Sequence, residues 1–237
     1  MKQLVIIGLG VFGKHMLEEL TGTGCELLII DKDREVIEAY KGQVTAAYIA
    51  DALSEEIIQK LVPSTIDAAI VDLGDRTEAS ILVTNYLKKM GVKQIIAKAE
   101  TDEHGEILEL VGATRIIFPN REAAKRIAPL LISDLILSYL PVSKDFVIAE
   151  IKVPAQYVGK SLIEADFRRR HNLNVIAFRK RNEADYAFFA PEYRLQTEDI
   201  LLVVGRENDV VGFTEGAVPV SRKGIANLFK RLFARKT

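Results

Sequence analysis

One cysteine, Cys25, and three histidines leave the chain without a disulfide framework and without the donors for a clustered zinc site. That usage suits a reducing cytoplasm. Long apolar runs are also missing: each is interrupted by glycine, charge or proline well short of the roughly twenty residues a membrane span requires. Residues 1–13 are too glycine-rich and too strand-like for a secretory signal. Positive charge is outnumbered in the body. The 237 residues carry a net charge of −1, yet residues 218–237 hold six cations and no acid, so the tail is basic and the rest acidic. An acidic body argues against nucleic acid as a partner, since such binding needs a cationic face. What remains, 49% apolar and 27% charged, is an ordinary soluble composition with room for one large or two ordinary domains.

The most informative feature stands at the start. Leu4-Val5-Ile6-Ile7 runs into Gly8-Leu9-Gly10-Val11-Phe12-Gly13, a strand followed by Gly-x-Gly-x-x-Gly opening a helix. In this pattern Gly8 permits the tight turn, Gly10 lets backbone N–H groups approach a diphosphate, and Gly13 lets the helix pack closely on the strand. The helix N-terminus then offers free donors and a partial positive charge. Asp31 closes the next apolar run, 26–30, eighteen residues past Gly13. A carboxylate there accepts from both ribose hydroxyls and repels a 2′-phosphate, which favours NAD over NADP. Asp33, just before Arg34-Glu35-Val36-Ile37, is the better placed helix cap.

Beyond that turn, short apolar runs at 45–49, 68–71, 94–97 and 115–118 alternate with amphipathic segments at 33–40, 55–61, 77–90 and 102–111. This predicts an α/β domain over 1–119, a Rossmann-like doubly wound parallel sheet of six strands. Ligands in such sheets sit past the carboxyl ends of the strands, which adds Lys32, Asp51, Ala52, Gly74, Asp75 and Lys98 to the candidate residues. Asp51 and Asp75 fit helix capping equally well. Lys98 fits either a phosphate contact or a solvated strand edge.

Residues 120–140 carry too many apolar positions for one packed face: Ile127, Leu130, Leu131, Ile132, Leu135, Ile136, Leu137, Tyr139 and Leu140 surround Ser133, Asp134 and Ser138. We expect a crossover helix packed on its own domain and on a second subunit, or else buried between two domains of one chain. Pro129 would kink it or start a new helix. A small α+β domain is expected over 141–216, with a strand at 145–153, a capping box at Ser161-Leu162-Ile163-Glu164, a hairpin of 173–179 with 186–189, and a buried strand after Asp199. In the tail, 217–237, Ile225, Leu228, Phe229, Leu232 and Phe233 recur at helical spacing opposite Lys230 and Arg231. Such a basic amphipathic helix suits an anionic membrane surface or a partner, and it can equally fold back on the body.

Over residues 1 to about 216 the sequence resembles the RCK (regulator of potassium conductance) subunits of bacterial Trk/Ktr-type potassium uptake systems. The resemblance rests on residues 5–13, Asp31, Ala50-Asp51-Ala52 and Arg115-Ile116-Ile117-Phe118-Pro119 in the first domain, and on residues 145–154 and 195–205 in the second. It implies a cytoplasmic regulatory subunit, peripheral at the inner face of the cell membrane, that dimerises through the crossover helix and builds an octameric ring on a membrane potassium-transporter subunit. It also implies an adenine nucleotide, ADP, ATP or NAD(H), with phosphates on the glycine turn and ribose on Asp31. Two positions depart from the family pattern. ATP-responsive relatives often carry arginine inside the turn, where this chain has Val11, so discrimination between tri- and diphosphate is weakened. Those relatives place glutamate, close to a nucleotide in the neighbouring subunit and to a bound divalent or monovalent cation, where this chain has Asn120, an uncharged amide that still ligates a hard cation. ADP and NAD(H) therefore rank above ATP.

The alternative enzyme class is a small NAD-dependent oxidoreductase. His15, His104 and His171 are its candidate acids and bases, and none has a recognisable partner acid nearby. A redox-sensing transcription regulator would need a helix-turn-helix module, which the sequence lacks.

Overall fold

The chain is described by a computed structural model over residues 1–190 and 192–216. It divides into two compact units, Met1–Arg121 and a second beginning at Glu122. The basic tail expected at 217–237 lies outside the described residues.

The first unit strings six strands, β1 (Gln3–Ile7), β2 (Glu26–Asp31), β3 (Ala46–Ile49), β4 (Ala68–Val71), β5 (Gln94–Lys98) and β6 (Arg115–Ile117), with helices between them. The helices are α1 (Val11–Leu20), α2 (Arg34–Tyr40), α3 (Glu55–Leu61), α4 (Thr77–Lys89) and α5 (Asp102–Val111). All strand pairings are parallel, in the order β3-β2-β1-β4-β5-β6, so the winding reverses between β1 and β4. Helices on both faces bury most of the central strands: Val5, Ile6 and Ile7 of β1 and Ala69 and Val71 of β4 have no exposed surface. Local signals start the helices where expected. Asp33 caps α2 by accepting from the Glu35 and Val36 N–H groups, Ser54 caps α3 and Thr101 caps α5.

The doubly wound sheet is therefore as the alternation predicts, but the capping roles offered for Asp51 and Asp75 are not taken up. Asp51 accepts from Leu53 N–H at 3.1 Å in a turn ahead of Ser54, and Arg76 holds the cap position of α4.

After β6 comes α6 (Pro119–Ile132), then β7 (Ile136–Pro141), β8 (Phe146–Lys152), α7 (Leu162–Ala165), α8 (Phe167–His171), β9 (Asn174–Lys180), β10 (Asp199–Arg206) and α9 (Glu207–Gly216). The expected helix over 120–140 is thus corrected. It ends at Ile132, and residues 136–141 form a strand antiparallel to β8. Buried Ile136 and Tyr139 face the second core, while Ser138 and Leu140 are exposed, so the apolar density came from a helix stripe followed by a half-buried strand. Pro129 sits inside α6, and Ile127, Leu131 and Ile132 stay exposed there.

The second sheet is antiparallel, in the order β7-β8-β10-β9. Strand β8 alternates buried and accessible residues, and its inner face joins Phe167, Val210 and Phe213 of the helices in one core. The capping box at Ser161 and Glu164 is formed. The expected hairpin shrinks to a single bridge between Phe178 and Ala187.

Candidate nucleotide-binding site

The winding reversal places the turn between β1 and α1 beside the end of β4. In sheets of this kind a crevice opens at that point. Gly8 adopts φ +85°, and a β-carbon there would stand 2.1 Å from the Asp72 carbonyl oxygen. A β-carbon at Gly13 would stand 2.5 Å from the Gly8 carbonyl oxygen, so this glycine lets α1 press onto the strand. At Gly10 the close neighbour is a side chain: a β-carbon would lie 2.4 Å from Asp72 Oδ2.

Helix α1 starts at Gly10 without a side-chain cap, and its first intrahelical bond runs from Lys14 N–H to the Gly10 carbonyl at 3.0 Å. The N–H groups of Gly10, Val11 and Phe12 precede that bond and have no intrahelical acceptor, and Gly10 is half-exposed and Val11 74% exposed. A helix end of this kind can receive an anion. Leu9 is buried, and its N–H is held by Asp31 Oδ2 at 2.7 Å. The other carboxylate oxygen of Asp31 accepts from Asp33 N–H at 2.9 Å. Each oxygen thus keeps a lone pair for a further donor, as a ribose hydroxyl would be. Uncapped donors at the turn and an oriented carboxylate at the end of β2 fit an adenosine diphosphate.

The remaining expected residues divide. Gly74, at φ +68°, donates to Asp72 Oδ1 at 3.3 Å and so joins the floor of the turn. Lys98, at the end of β5, is no solvated edge residue: its side chain is 14% exposed and lies 3.4 Å from Asp72 and 2.8 Å from Glu100. Burial alone would lower its pKa, but the hydrogen bond to Glu100 and the two carboxylate charges raise it, which keeps the ammonium charged. Ala52 is buried and Asp51 exposed, on the loop that follows the bond from Ala50 N–H to the Asp31 carbonyl. Lys32 is exposed beside Asp31. Asn120 is exposed in the first turn of α6, past the edge strand β6, with β4 and β5 between that strand and β1. It lies away from the turn of its own chain, on the side where the resemblance implies a neighbouring subunit's nucleotide. Among the described residues no group of three histidine, cysteine or acidic side chains is placed to hold a metal ion.

One residue escaped the sequence reading. Asp72 is 1% exposed, and its Oδ2 accepts the Gly13 N–H at 2.8 Å, so it caps α1 from a strand distant in sequence. The signal was a single acid directly after the apolar run 68–71, ahead of Gly74 and Asp75.

Family models for the TrkA-N domain and the TrkA-C domain match residues 4–119 and 146–214. The chain is 34% identical over 212 residues to the Ktr system potassium uptake protein C of Bacillus subtilis (strain 168), covering 90% of this chain and 96% of that protein. The chain belongs to this TrkA-N/TrkA-C family. Another relative, the Ktr system potassium uptake protein A of the same organism, is 31% identical and covered over 95% of its length. The TrkA fold is equally evident in solved structures. The GsuK RCK domain superposes with a TM-score of 0.65 at 16% identity, over 93% of this chain and 48% of that one. The GsuK channel bound to NAD gives 0.61 at 17%, over 92% and 40%. This TrkA-family chain therefore spans less than half of those solved chains.

Proposed function

We propose that this chain is a nucleotide-sensing regulatory subunit of a membrane potassium transporter. The observation that carries the reading is the uncapped helix start at Gly10, Val11 and Phe12 beside the half-engaged carboxylate of Asp31. The kinship with Ktr potassium uptake proteins supplies the transporter. An adenine nucleotide lays its phosphates on the turn and its ribose on Asp31, with NAD(H) and ADP ahead of ATP because Val11 brings no cation. Occupancy biases two arrangements of the assembly, which requires different affinity for the two. The exposed Ile127, Leu131 and Ile132 on α6 support pairing through that helix, and the pairs build an octameric ring at the cytoplasmic face of the membrane. No described helix is long and apolar enough to cross a membrane. A cation does not enter this reading.

A binding role is favoured over hydride transfer by where the histidines lie. His15 is exposed beside Glu18, His104 is buried against Ser80 Oγ at 2.7 Å, and His171 belongs to the second unit. Neither His15 nor His104 is hydrogen-bonded to residues 8–13, and His171 is engaged by the Tyr157 hydroxyl. The test is purification from membranes of the full chain and of a chain lacking 217–237, followed by potassium flux in vesicles with and without NADH, ADP and ATP. Retention of a potassium transporter and nucleotide-dependent flux are expected. No retained transporter, or flux indifferent to all three nucleotides, would overturn the reading.

A further inference from the structure

We propose that Asp72 sets which nucleotides the glycine turn accepts, penalising a γ-phosphate and selecting ligands of the dinucleotide class. This deepens the nucleotide reading above and rests on it. The Asp72 carboxylate lies directly under the turn: it accepts the Gly13 N–H at 2.8 Å and the Gly74 N–H at 3.3 Å, and stands 2.4 Å from where a Gly10 β-carbon would be. It therefore withdraws one of the helix's free donors. It also sets a full negative charge at the helix end whose partial positive charge attracts phosphate. Its side chain has no exposed surface, so solvent screens it poorly.

The compensating cation is outnumbered. Lys98 approaches Asp72 at 3.4 Å but lies nearer to Glu100, at 2.8 Å, so one ammonium serves two carboxylates. On the lip of the turn stand Val11 and Phe12, which carry no charge. Lys32 and Arg76, on the loops after β2 and β4, have Asp31, Asp33 and Asp75 as sequence neighbours. A diphosphate is held by the uncapped N–H groups. Each further phosphate charge meets the Asp72 field through one layer of backbone, within the ~8 Å Debye length of physiological salt. The repulsion grows with ligand charge, so it acts on the choice between ligands more than on binding as such.

The test is calorimetric titration of the full chain with NADH, ADP and ATP, magnesium being chelated. The wild-type chain should bind NADH more tightly than ATP. Asp72→Asn should narrow that gap on the order of tenfold, chiefly by tightening ATP, with NADH changing less than about threefold. Glu100→Gln, which removes a partly exposed charge and no backbone partner, should act in the same direction more weakly. It keeps the test decisive if Asp72→Asn does not fold. A purely structural role for Asp72 would weaken all three ligands alike. A wild-type preference for ATP, or an unchanged gap in the variants, would overturn the role of Asp72 while leaving nucleotide binding intact. Failure of all three ligands to bind the wild-type chain would instead overturn the nucleotide reading and this inference with it.

Discussion

Asp72 Oδ2 accepts the backbone N–H of Gly13 at 2.8 Å, so a strand-end carboxylate caps a helix fifty-nine residues away in sequence. The same oxygen would stand 2.4 Å from a β-carbon at Gly10, which ties the glycine and the acid into one steric unit. Gly10→Ala should therefore cost about 1–3 kcal/mol of stability, the range for overpacking against a buried neighbour. In an Asp72→Ala background the clash disappears. A double-mutant cycle by urea denaturation should give a coupling of at least ~1 kcal/mol, and additive effects would contradict the contact.

Asp31 is held by Leu9 N–H and Asp33 N–H and has capacity for a ligand. Asp31→Ala should lower stability by about 1–2 kcal/mol and weaken NADH by roughly tenfold or more, as expected for hydrogen bonds to a charged acceptor. Calorimetry at a temperature where both proteins are folded separates the two effects. Unaltered NADH affinity would place the ribose elsewhere.

In the second unit Asp199 is 1% exposed and receives Lys180 Nζ at 2.7 Å, Tyr193 OH at 2.8 Å and Gln196 N–H at 2.8 Å. Lys180→Met removes the cation and leaves the buried carboxylate with neutral donors only. The expected loss is roughly 2–3 kcal/mol, read from the denaturation midpoint. A loss within error would mean that water already serves this acid.

Burial lowers the pKa of His104, and burial together with the Arg170 charge lowers that of His171. Both imidazoles titrate more readily in the unfolded chain. Their neutral burial costs nothing above the unfolded value of about 6.5, and stability is lost as pH falls from there through the lowered folded values. Denaturation midpoints should therefore decline between about pH 6.5 and 5, before most carboxylates protonate. His104→Gln should flatten part of that decline. A midpoint constant across this interval would contradict the assignment.

The first unit was legible because its signals are local. Glycine spacing, an acid at a strand end and helix caps such as Asp33 each act over a few residues, and β1 to β6 fall where the apolar runs stand. Asp72 was not legible in the same way, since its role depends on β4 lying beside β1. Local pattern also misled over residues 133–140. Their apolar density continues the α6 stripe without a break, and only pairing with β8 makes Ile136 and Tyr139 one face of a strand. The hairpin expected between 173–179 and 186–189 failed for a related reason: the apolar run 186–189 is present, but the partner contact is a single bridge at Ala187.

Calorimetric titration of the full chain with NADH and ADP, repeated with Asp31→Ala, tests the account most directly. The account predicts one nucleotide bound per chain and a marked loss of affinity in the variant. No heat at millimolar ligand, or equal binding by both proteins, would contradict it.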